Sequence, residues 1–260
     1  MSESKEILPD INNIKSSESF TLPSKGLCYS AESKIPASIT LRRMTTREDK
    51  MRMRNAAENV IKKDILQACI LEDIDAGKLT ITDANFLYFK LRVISLLDDT
   101  YKIRCICPNC GTEFIHQINL SEVPVKYLTK KAIDDLKVEL PLSKQKIDFK
   151  LPTLDDMIRA GEAFTEHFEQ FPDADRTEYL YVASRIMYIE KVNGQKLMSL
   201  ELEDWLDSLD IIDNRAVSDI TNQLVNLYGF VDDIIGQCPK CKSDVPHGLP
   251  ITAELFTPSK

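Results

Sequence analysis

The sequence is poor in glycine and histidine, and these two shortages exclude several classes of enzyme site. Only 8 glycines occur among 260 residues, and no glycine-rich loop of the kind that cradles phosphate groups is present. Three histidines leave few candidates for a general base, and neither a His-Glu-x-x-His pattern nor a nucleophile elbow occurs. We find no catalytic constellation and predict that the protein is not an enzyme.

Long apolar runs are also missing. No stretch approaches the roughly 20 apolar residues needed to cross a bilayer. Residues 1–6 lack the apolar stretch of a secretory signal. We therefore expect no contact with membranes and a place in the cytosol, where thiols stay reduced and paired cysteines more often bind metal than form disulfides.

Positive charge is scarce overall, with 33 basic residues against 41 acidic ones and a net charge of −8. This balance argues against sequence-independent binding to nucleic acid, because affinity for phosphates comes mainly from Lys and Arg. Residues 42–63 nevertheless hold eight basic and three acidic residues, whereas residues 201–219 hold seven acidic residues and only Arg215. These two stretches are either solvated helix faces or polar surfaces that dock complementary proteins.

Four of the seven cysteines form two matched Cys-Pro-x-Cys pairs, Cys107 with Cys110 and Cys238 with Cys241. A Cys-x-x-Cys turn places two thiolates on one side of a tight knuckle. Two knuckles supply the four sulfurs that tetrahedral zinc prefers. We predict one structural zinc ion per chain, bound by these four cysteines.

Other interpretations of the cysteine pairs fit the sequence less well. A redox Cys-x-x-Cys motif is expected at the start of a helix, whereas Gly111 and a β-type run follow the first pair. A catalytic zinc keeps one position open for water, and four cysteines would close that position. Cys105, His116 and His247 are further candidate ligands, although a strand cysteine and exposed histidines are the simpler interpretation of these three.

The long separation of the two pairs sets the predicted domain organisation. We predict an α+β fold in which the pairs form a split zinc-ribbon β element, with a mostly helical insertion between the two knuckles. The predicted parts are a flexible N-terminal arm, an α+β region with the first knuckle, the helical insertion domain and a C-terminal second knuckle: residues 1–17, 18–125, 126–230 and 231–260.

Local patterns predict the elements before the first knuckle. Thr45 and Glu48 form a capping box, and we expect the helix that they open to continue, with or without a break, to about Asp75. Thr82 or Asp83 is expected to cap the next helix. A strand, a tight turn and a second strand should then carry the first cysteine pair.

After the first knuckle, helical patterns dominate. Helices are predicted over 154–170, 174–189, 199–209 and 213–228, interrupted by a turn at Asn193-Gly194. Thr153 and Asp156 are expected to cap the first of these helices, and Trp205 to anchor a core. Cys28 and Cys69 are interpreted as core or surface thiols.

One internal similarity links the two halves of the chain. "LPSKG" with the later "ITLRRMTTRED" resembles "LPLSK" with "IDFKLPTLDDM", and the two segments begin at Leu22 and Leu140. The similarity arises either from a duplicated lobe of strand, turn, strand and capped helix, or by chance from two common helix starts.

Several of these segments carry a family resemblance. "FTLPSKGLCY", "ITLRRMTTRED", "FKLRVISL" and "CPNCG" resemble small baseplate hub and hub-assembly proteins of T4-like contractile-tailed bacteriophages. The likeness covers roughly residues 18–125 and is strongest at Leu22–Gly26, at Thr45–Glu48 and at the first knuckle. It implies a non-enzymatic protein that helps to build the baseplate hub, in the host bacterial cytoplasm during assembly or as a component of the virion tail baseplate.

The resemblance also implies partners, namely other phage tail and baseplate hub proteins. The "LPSKG" loop is then either a contact element or a simple turn before a strand. The alternative function is a zinc-ribbon regulator that contacts nucleic acid or the transcription machinery through residues 42–63. The net acidity of the chain and the few basic residues around the knuckles disfavour this alternative.

Overall fold

A computed structural model describes residues 17–231, 234–249 and 251–256. Within these ranges, eight α-helices and eleven short strands form an α+β fold, as predicted. The predicted N-terminal arm lies outside the described residues except for Ser17. No helix in the described part of the chain is long and apolar enough to span a membrane.

Residues 17–96 form a unit that we call the N-lobe. Two antiparallel strands open it and three helices complete it: β1 (Ser17–Thr21), β2 (Ser38–Arg42), α1 (Thr46–Met51), α2 (Glu58–Cys69) and α3 (Ile81–Leu96). The capping box at Thr45 and Glu48 is confirmed. The Thr45 hydroxyl accepts a hydrogen bond from a backbone N–H of the first turn, and the Glu48 carboxylate accepts one from the backbone N–H of Thr45. Glu48 is buried and also pairs with Arg42 at 2.9 Å, which fixes α1 to β2.

Two predicted helix boundaries in the N-lobe are wrong. Helix α2 ends at Cys69 instead of continuing to about Asp75, because Ile70 is extended and forms a β-bridge with Leu41. Helix α3 is capped by Thr80, whose hydroxyl accepts a hydrogen bond from the backbone N–H of Asp83. Asp83 therefore lies inside the first turn of the helix and not at its cap.

A hairpin with the first cysteine pair follows the N-lobe, as predicted. It consists of β3 (Thr100–Ile106) and β4 (Glu113–Asn119). A short strand β5 (Val125–Lys126) and a short helix α4 (Lys130–Asp134) then lead into the second half of the chain.

Residues 137–225 form a second unit, the C-lobe. An antiparallel sheet of β6 (Lys137–Glu139), β7 (Lys146–Phe149) and β8 (Ile189–Val192) shares one buried core with three of the four helices of this segment, whereas the first helix begins at Leu154, which packs in the N-lobe core. The helices are α5 (Leu154–Gln170), α6 (Arg176–Ile186), α7 (Ser199–Asp207) and α8 (Ile211–Val225). All four match predicted helices, with ends that differ by at most three residues.

The predicted local signals of the C-lobe are confirmed as well. Thr153 and Asp156 form the capping box of α5. Asn193 and Gly194 both have left-handed backbone angles, with φ of 51° and 78°, as a tight turn between strands requires. Trp205 packs against the C-lobe core, and its indole N–H donates to Gln145 Oε1 at 2.7 Å.

The last three strands of the described residues are β9 (Gly229–Phe230), β10 (Ile234–Gln237) and β11 (Asp244–His247). Strand β9 pairs with β5, and β10 pairs with β11 in a hairpin that carries the second cysteine pair. The last described residues return to the N-lobe, where the buried guanidinium of Arg92 donates to the carbonyl of Leu255 at 3.0 Å. This contact holds the C-terminal segment against α3.

Three separate groups of buried side chains form the interior. Among the described residues, the core centred on the N-lobe contains 25 buried hydrophobic residues, 19 of them from residues 17–96. The other six come from later segments: Tyr101, Ile118, Leu120, Leu154, Leu255 and Phe256. The C-lobe core contains nine, and a small third group lies where the two cysteine hairpins meet. The two lobes therefore differ greatly in how much apolar surface they remove from water.

The internal similarity seen in the sequence corresponds to a repeated contact. In the N-lobe, the backbone N–H of Ser24 donates to the carboxylate of Asp83, the third residue of α3, at 3.0 Å. In the C-lobe, the backbone N–H of Ser143 donates to Asp213, the third residue of α8, at 2.9 Å. Each turn also contains a lysine with a left-handed backbone, at φ of 53° and 60°. The same turn is thus attached to the same helix position in both lobes.

Candidate metal centre

The first cysteine knuckle is shaped by backbone hydrogen bonds at the end of the β3–β4 hairpin. The N–H of Cys107 donates to the carbonyl of Thr112 at 3.0 Å, and the N–H of Gly111 donates to the carbonyl of Cys107 at 2.9 Å. Gly111 has a φ of 68°, a left-handed conformation that glycine adopts without steric cost. This geometry turns Cys107 and Cys110 towards the same side of the knuckle.

The second knuckle repeats this pattern at the end of the β10–β11 hairpin. Cys238 donates from its N–H to the carbonyl of Ser243 at 3.0 Å, and Lys242 donates to the carbonyl of Cys238 at 3.0 Å. Lys242 takes the left-handed position that Gly111 occupies in the first knuckle, with a φ of 61°. The two hairpins therefore present their cysteines in equivalent ways.

The structure brings all four predicted cysteines together. Sulfur Sγ of Cys107 lies 3.5 Å from that of Cys241, and Cys110 lies 3.7 Å from Cys238. All four sulfurs lie within 4.8 Å of one another. Cys107 and Cys238 are buried, and the other two are half-buried. Four soft donors at these distances, contributed by two hairpins far apart in the sequence, form a plausible metal site.

Hydroxyl groups beside the knuckles favour thiolates at two of the four positions. Ser243 holds the pKa of Cys241 at about 5, and Thr112 lowers the pKa of Cys110. Burial has the opposite effect on Cys107 and raises its pKa to about 11. Because the thiolate is the form that binds metal, Cys110 and Cys241 are the positions at which negative charge is most readily available to a cation.

Cys105 and the two nearby histidines lie beside the group of four and outside it. Cys105 is buried among the apolar side chains of the hairpins. Nδ1 of His116 lies 2.6 Å from Nε2 of His247, so each ring is the partner of the other. Burial, followed by the neighbouring ring, lowers the pKa of His116. Gly236 packs against His116, since a Cβ atom there would lie 3.0 Å from its Nδ1.

The remaining singled-out thiols are structural. Cys69 is fully buried in the N-lobe core, where burial raises its pKa to about 12. Cys28 is half-exposed by surface area, and burial of its sulfur together with the nearby charge of Asp83 raises its pKa to about 12. Neither residue lies in the group of four sulfurs.

The sequence analysis missed a buried polar network around Asp83. Its carboxylate accepts hydrogen bonds from the Ser24 N–H and, at 2.6 Å, from the Tyr29 hydroxyl. The hydroxyls of Thr80 and Tyr228 lie 2.6 Å apart beside it. The sequence did contain a signal for this contact. Each "LP" turn is followed, later in the chain, by a helix with aspartate as its third residue, Asp83 in α3 and Asp213 in α8. In the "LPSKG" loop, Leu22, Pro23 and Ser24 are buried against their own chain, whereas Lys25 is exposed.

Comparison with known proteins agrees with the resemblance found in the sequence and extends it. Residues 17–257 match the family model described as T4 bacteriophage base plate protein. The match includes the C-lobe and the second knuckle, which the resemblance over residues 18–125 does not reach. Neither the curated proteins nor the solved structures contain a match to this chain. Since the family model covers nearly the whole chain, the protein belongs to the T4 bacteriophage base plate protein family.

Proposed function

We propose that the protein is a non-enzymatic structural or assembly component of a contractile-tailed phage baseplate hub, stabilised by one structural zinc ion. The observation that carries this proposal is the convergence of four cysteine sulfurs in a member of a baseplate family. A baseplate is built from protein–protein contacts, which need shape and polar complementarity rather than a reactive centre.

The spacing of the sulfurs supports zinc. A tetrahedral zinc ion with Zn–S bonds of about 2.3 Å places its sulfurs about 3.8 Å apart. Two sulfur–sulfur separations between the knuckles, 3.5 and 3.7 Å, are close to this value. Cys107, Cys110, Cys238 and Cys241 would be the ligands. Bound zinc would supply a cross-link, and four protein ligands leave no position for a catalytic water.

The proposed architecture is a split zinc ribbon, with residues 126–230 inserted between the knuckles. A separate buried core formed between Leu140 and Leu224 supports the division into residues 18–125 and 126–230, while Leu154 at the start of α5 packs in the N-lobe core. Closing a loop of this length costs on the order of 4 kcal/mol of chain entropy. Structural zinc binding contributes roughly 10–16 kcal/mol in small peptides, so the metal can hold residues 231–260 to the first knuckle.

The partners in this proposal are other phage tail and baseplate hub proteins, met in the host bacterial cytoplasm during assembly or in the virion tail baseplate. The alternative, a zinc-ribbon regulator with a basic nucleic-acid surface, has little support from the contacts of residues 42–63. Four of the eight cations in that stretch are ion-paired to carboxylates of the same chain: Arg42, Arg52, Arg54 and Lys63. Such pairing leaves less free charge for phosphates.

Affinity purification from infected cells tests this function. A tagged chain should recover tail and baseplate proteins, and mass spectrometry of finished virions should detect the chain itself or show that it acts only in assembly. A matched variant with Cys107→Ser and Cys110→Ser should recover less of the same partners. Recovery of polymerase subunits with no tail protein would overturn the proposal in favour of the regulator.

A further inference from the structure

Two equivalent corners of the molecule differ in what covers them. We define the N-corner as the turn Leu22–Gly26 with the first turn of α3, and the C-corner as the turn 140–144 with the first turn of α8. Each corner is held together by the same contact, a backbone N–H of the turn bound to the third residue of the helix. Any difference between them therefore concerns their surroundings and not their construction.

The N-corner is covered by segments from later in the chain. The N–H of Leu128 donates to the carbonyl of Pro23 at 2.8 Å. The ammonium of Lys25 lies 4.9 Å from the centre of the Tyr127 ring, a cation–π distance. Gly229 packs directly on Thr82, since a Cβ atom there would lie 2.5 Å from the Thr82 methyl group. A short extended strap, the β5 segment and the aromatic–aliphatic pair after it, closes this corner.

The C-corner has no such strap among the described residues. Pro141, Ser143 and Lys144 are exposed, and no described backbone N–H donates to the Pro141 carbonyl. Three large apolar side chains stand at this corner with high exposure: Leu142 at 55%, Ile211 at 76% and Ile212 at 57%. Clustered exposed apolar side chains of this kind mark interaction sites.

The charge around the C-corner restricts what can bind there. Asp210 immediately precedes Ile211, and Asp207 lies four positions before it. Of the seven carboxylates within residues 201–219, Asp213 is buried in the corner's own contact and the other six are exposed or half-buried. None of the seven forms an ion pair with a described residue. A surface with exposed apolar side chains and unpaired carboxylates is complementary to a segment that is both apolar and basic.

We propose that the C-corner is the docking site for an extended, positively charged segment of a partner protein that presents an adjacent aromatic and aliphatic residue. The segment would cover the turn 140–144 in the way that Tyr127 and Leu128 cover the N-corner. Its backbone N–H would bind the Pro141 carbonyl, and its basic residues would lie near Asp207 and Asp210. The inference depends on the two corners alone, so it does not depend on the hub assignment.

A peptide with the sequence of this chain's own strap, VPVKYLTKK (residues 123–131), is the probe. Fluorescence anisotropy of the labelled peptide should report binding to the full-length protein. Leu142→Asp or Ile211→Asp should weaken that binding by about tenfold or more, because both replace an apolar contact with a charge. The matched control is Ile115→Asp, on an equally exposed residue (64%) of β4, which should bind like the unchanged protein.

Two further comparisons complete the test. A peptide with alanine at the positions of Tyr127 and Leu128 should bind more weakly, and raising the salt from about 50 to 300 mM should weaken binding of the original peptide. Circular dichroism should show that each variant is folded.

Absence of peptide binding, or equal binding by the Leu142→Asp variant, would overturn the proposal. Self-association of the protein that Leu142→Asp abolishes, without peptide binding, would overturn it in favour of a second copy.

Discussion

The N-lobe and the C-lobe share one construction but differ in how completely it is covered. Both begin with an antiparallel strand pair, continue with a helix opened by a capping box and end with a helix whose third residue is an aspartate bound to the turn. Among the described residues, the core centred on the N-lobe contains 25 buried hydrophobic residues, six of them from later segments, and the C-lobe core contains nine. The repeated contact between turn and helix therefore fixes local geometry in both lobes. The number of buried side chains in each core depends on whether later segments of the chain pack against it.

Asp83 and Asp213, the two aspartates of the repeated contact, also differ in what covers them. Asp83 is fully buried, and the strap and Tyr228 close over its network. Asp213 is also covered, but by a turn whose own side chains are exposed. Both carboxylates are buried, but the turn over Asp213 has four exposed residues, 141–144.

The largest expected effect comes from removing a ligand of the proposed zinc site, which should make the two lobes unfold separately. Cys107→Ser should remove a ligand of the proposed zinc site and lower the free energy of unfolding by at least about 4 kcal/mol. Urea denaturation should then show two transitions, with the C-lobe unfolding first because its core is smaller. Cys105→Ala is the control, since Cys105 is buried beside the site without belonging to the four sulfurs. A loss from Cys105→Ala as large as that from Cys107→Ser would contradict the account.

A smaller effect compares the two cores at equivalent positions. Leu22 and Leu140 start the two turns and both are fully buried. Replacing either with alanine should cost about 2–5 kcal/mol, with Leu22→Ala nearer the upper end. The reason is that the half-buried neighbours of Leu140 can relax into the cavity more readily than the closed core around Leu22. Thermal and urea unfolding would measure both values, and a larger cost at Leu140 would reverse the ranking of the lobes.

The two aspartates should respond to pH in opposite directions. Burial raises the pKa of Asp83 despite its hydrogen bonds, so its ionised form costs stability as pH rises above about 4. Burial also opposes ionisation of Asp213, but the Ser143 hydroxyl and two backbone N–H groups outweigh it and lower the pKa. Its contribution is present above about pH 3.9 and is lost as pH falls through the folded-state pKa.

Asparagine substitutions would detect this difference. Relative to the unchanged protein, the stability of Asp83→Asn should rise with pH, and that of Asp213→Asn should fall. Urea denaturation between about pH 3 and pH 8 measures both trends. Trends of the same sign in the two variants would show that the aspartates are not in different environments.

The smallest expected effect is one that the two lobes share. Thr45→Ala and Thr153→Ala each remove a capping hydroxyl, and each should cost about 1 kcal/mol. Because both boxes use the same local geometry, the two costs should agree within about 0.5 kcal/mol. A difference of several-fold, measured by urea denaturation, would show that tertiary contacts and not the boxes hold these helix starts.

Local signals in the sequence predicted much of this structure. Both capping boxes, the Asn193-Gly194 turn and the strands around the cysteine pairs depend on residues close together in the chain. The matched spacing of the two cysteine pairs was enough to predict that four sulfurs meet, because a half-site of two thiolates needs a second half.

Features that depend on distant contacts were beyond the sequence. The end of α2 is set by the bridge between Ile70 and Leu41, and the choice of Thr80 as a cap is reinforced by Tyr228 from the far end of the chain. The pairing of Ser24 with Asp83 is likewise invisible to local patterns. These misses share one physical cause, since tertiary hydrogen bonds selected among several locally acceptable conformations.

The most direct test of the central claim is the metal content and sulfur coordination of protein purified without added metal. Elemental analysis should find about one zinc per chain, and X-ray absorption should find four sulfur neighbours at about 2.3 Å. Cys107, Cys110, Cys238 and Cys241 should resist thiol reagents until a chelator is added. Protein that contains no metal and whose four thiols react freely in the folded state would contradict the account.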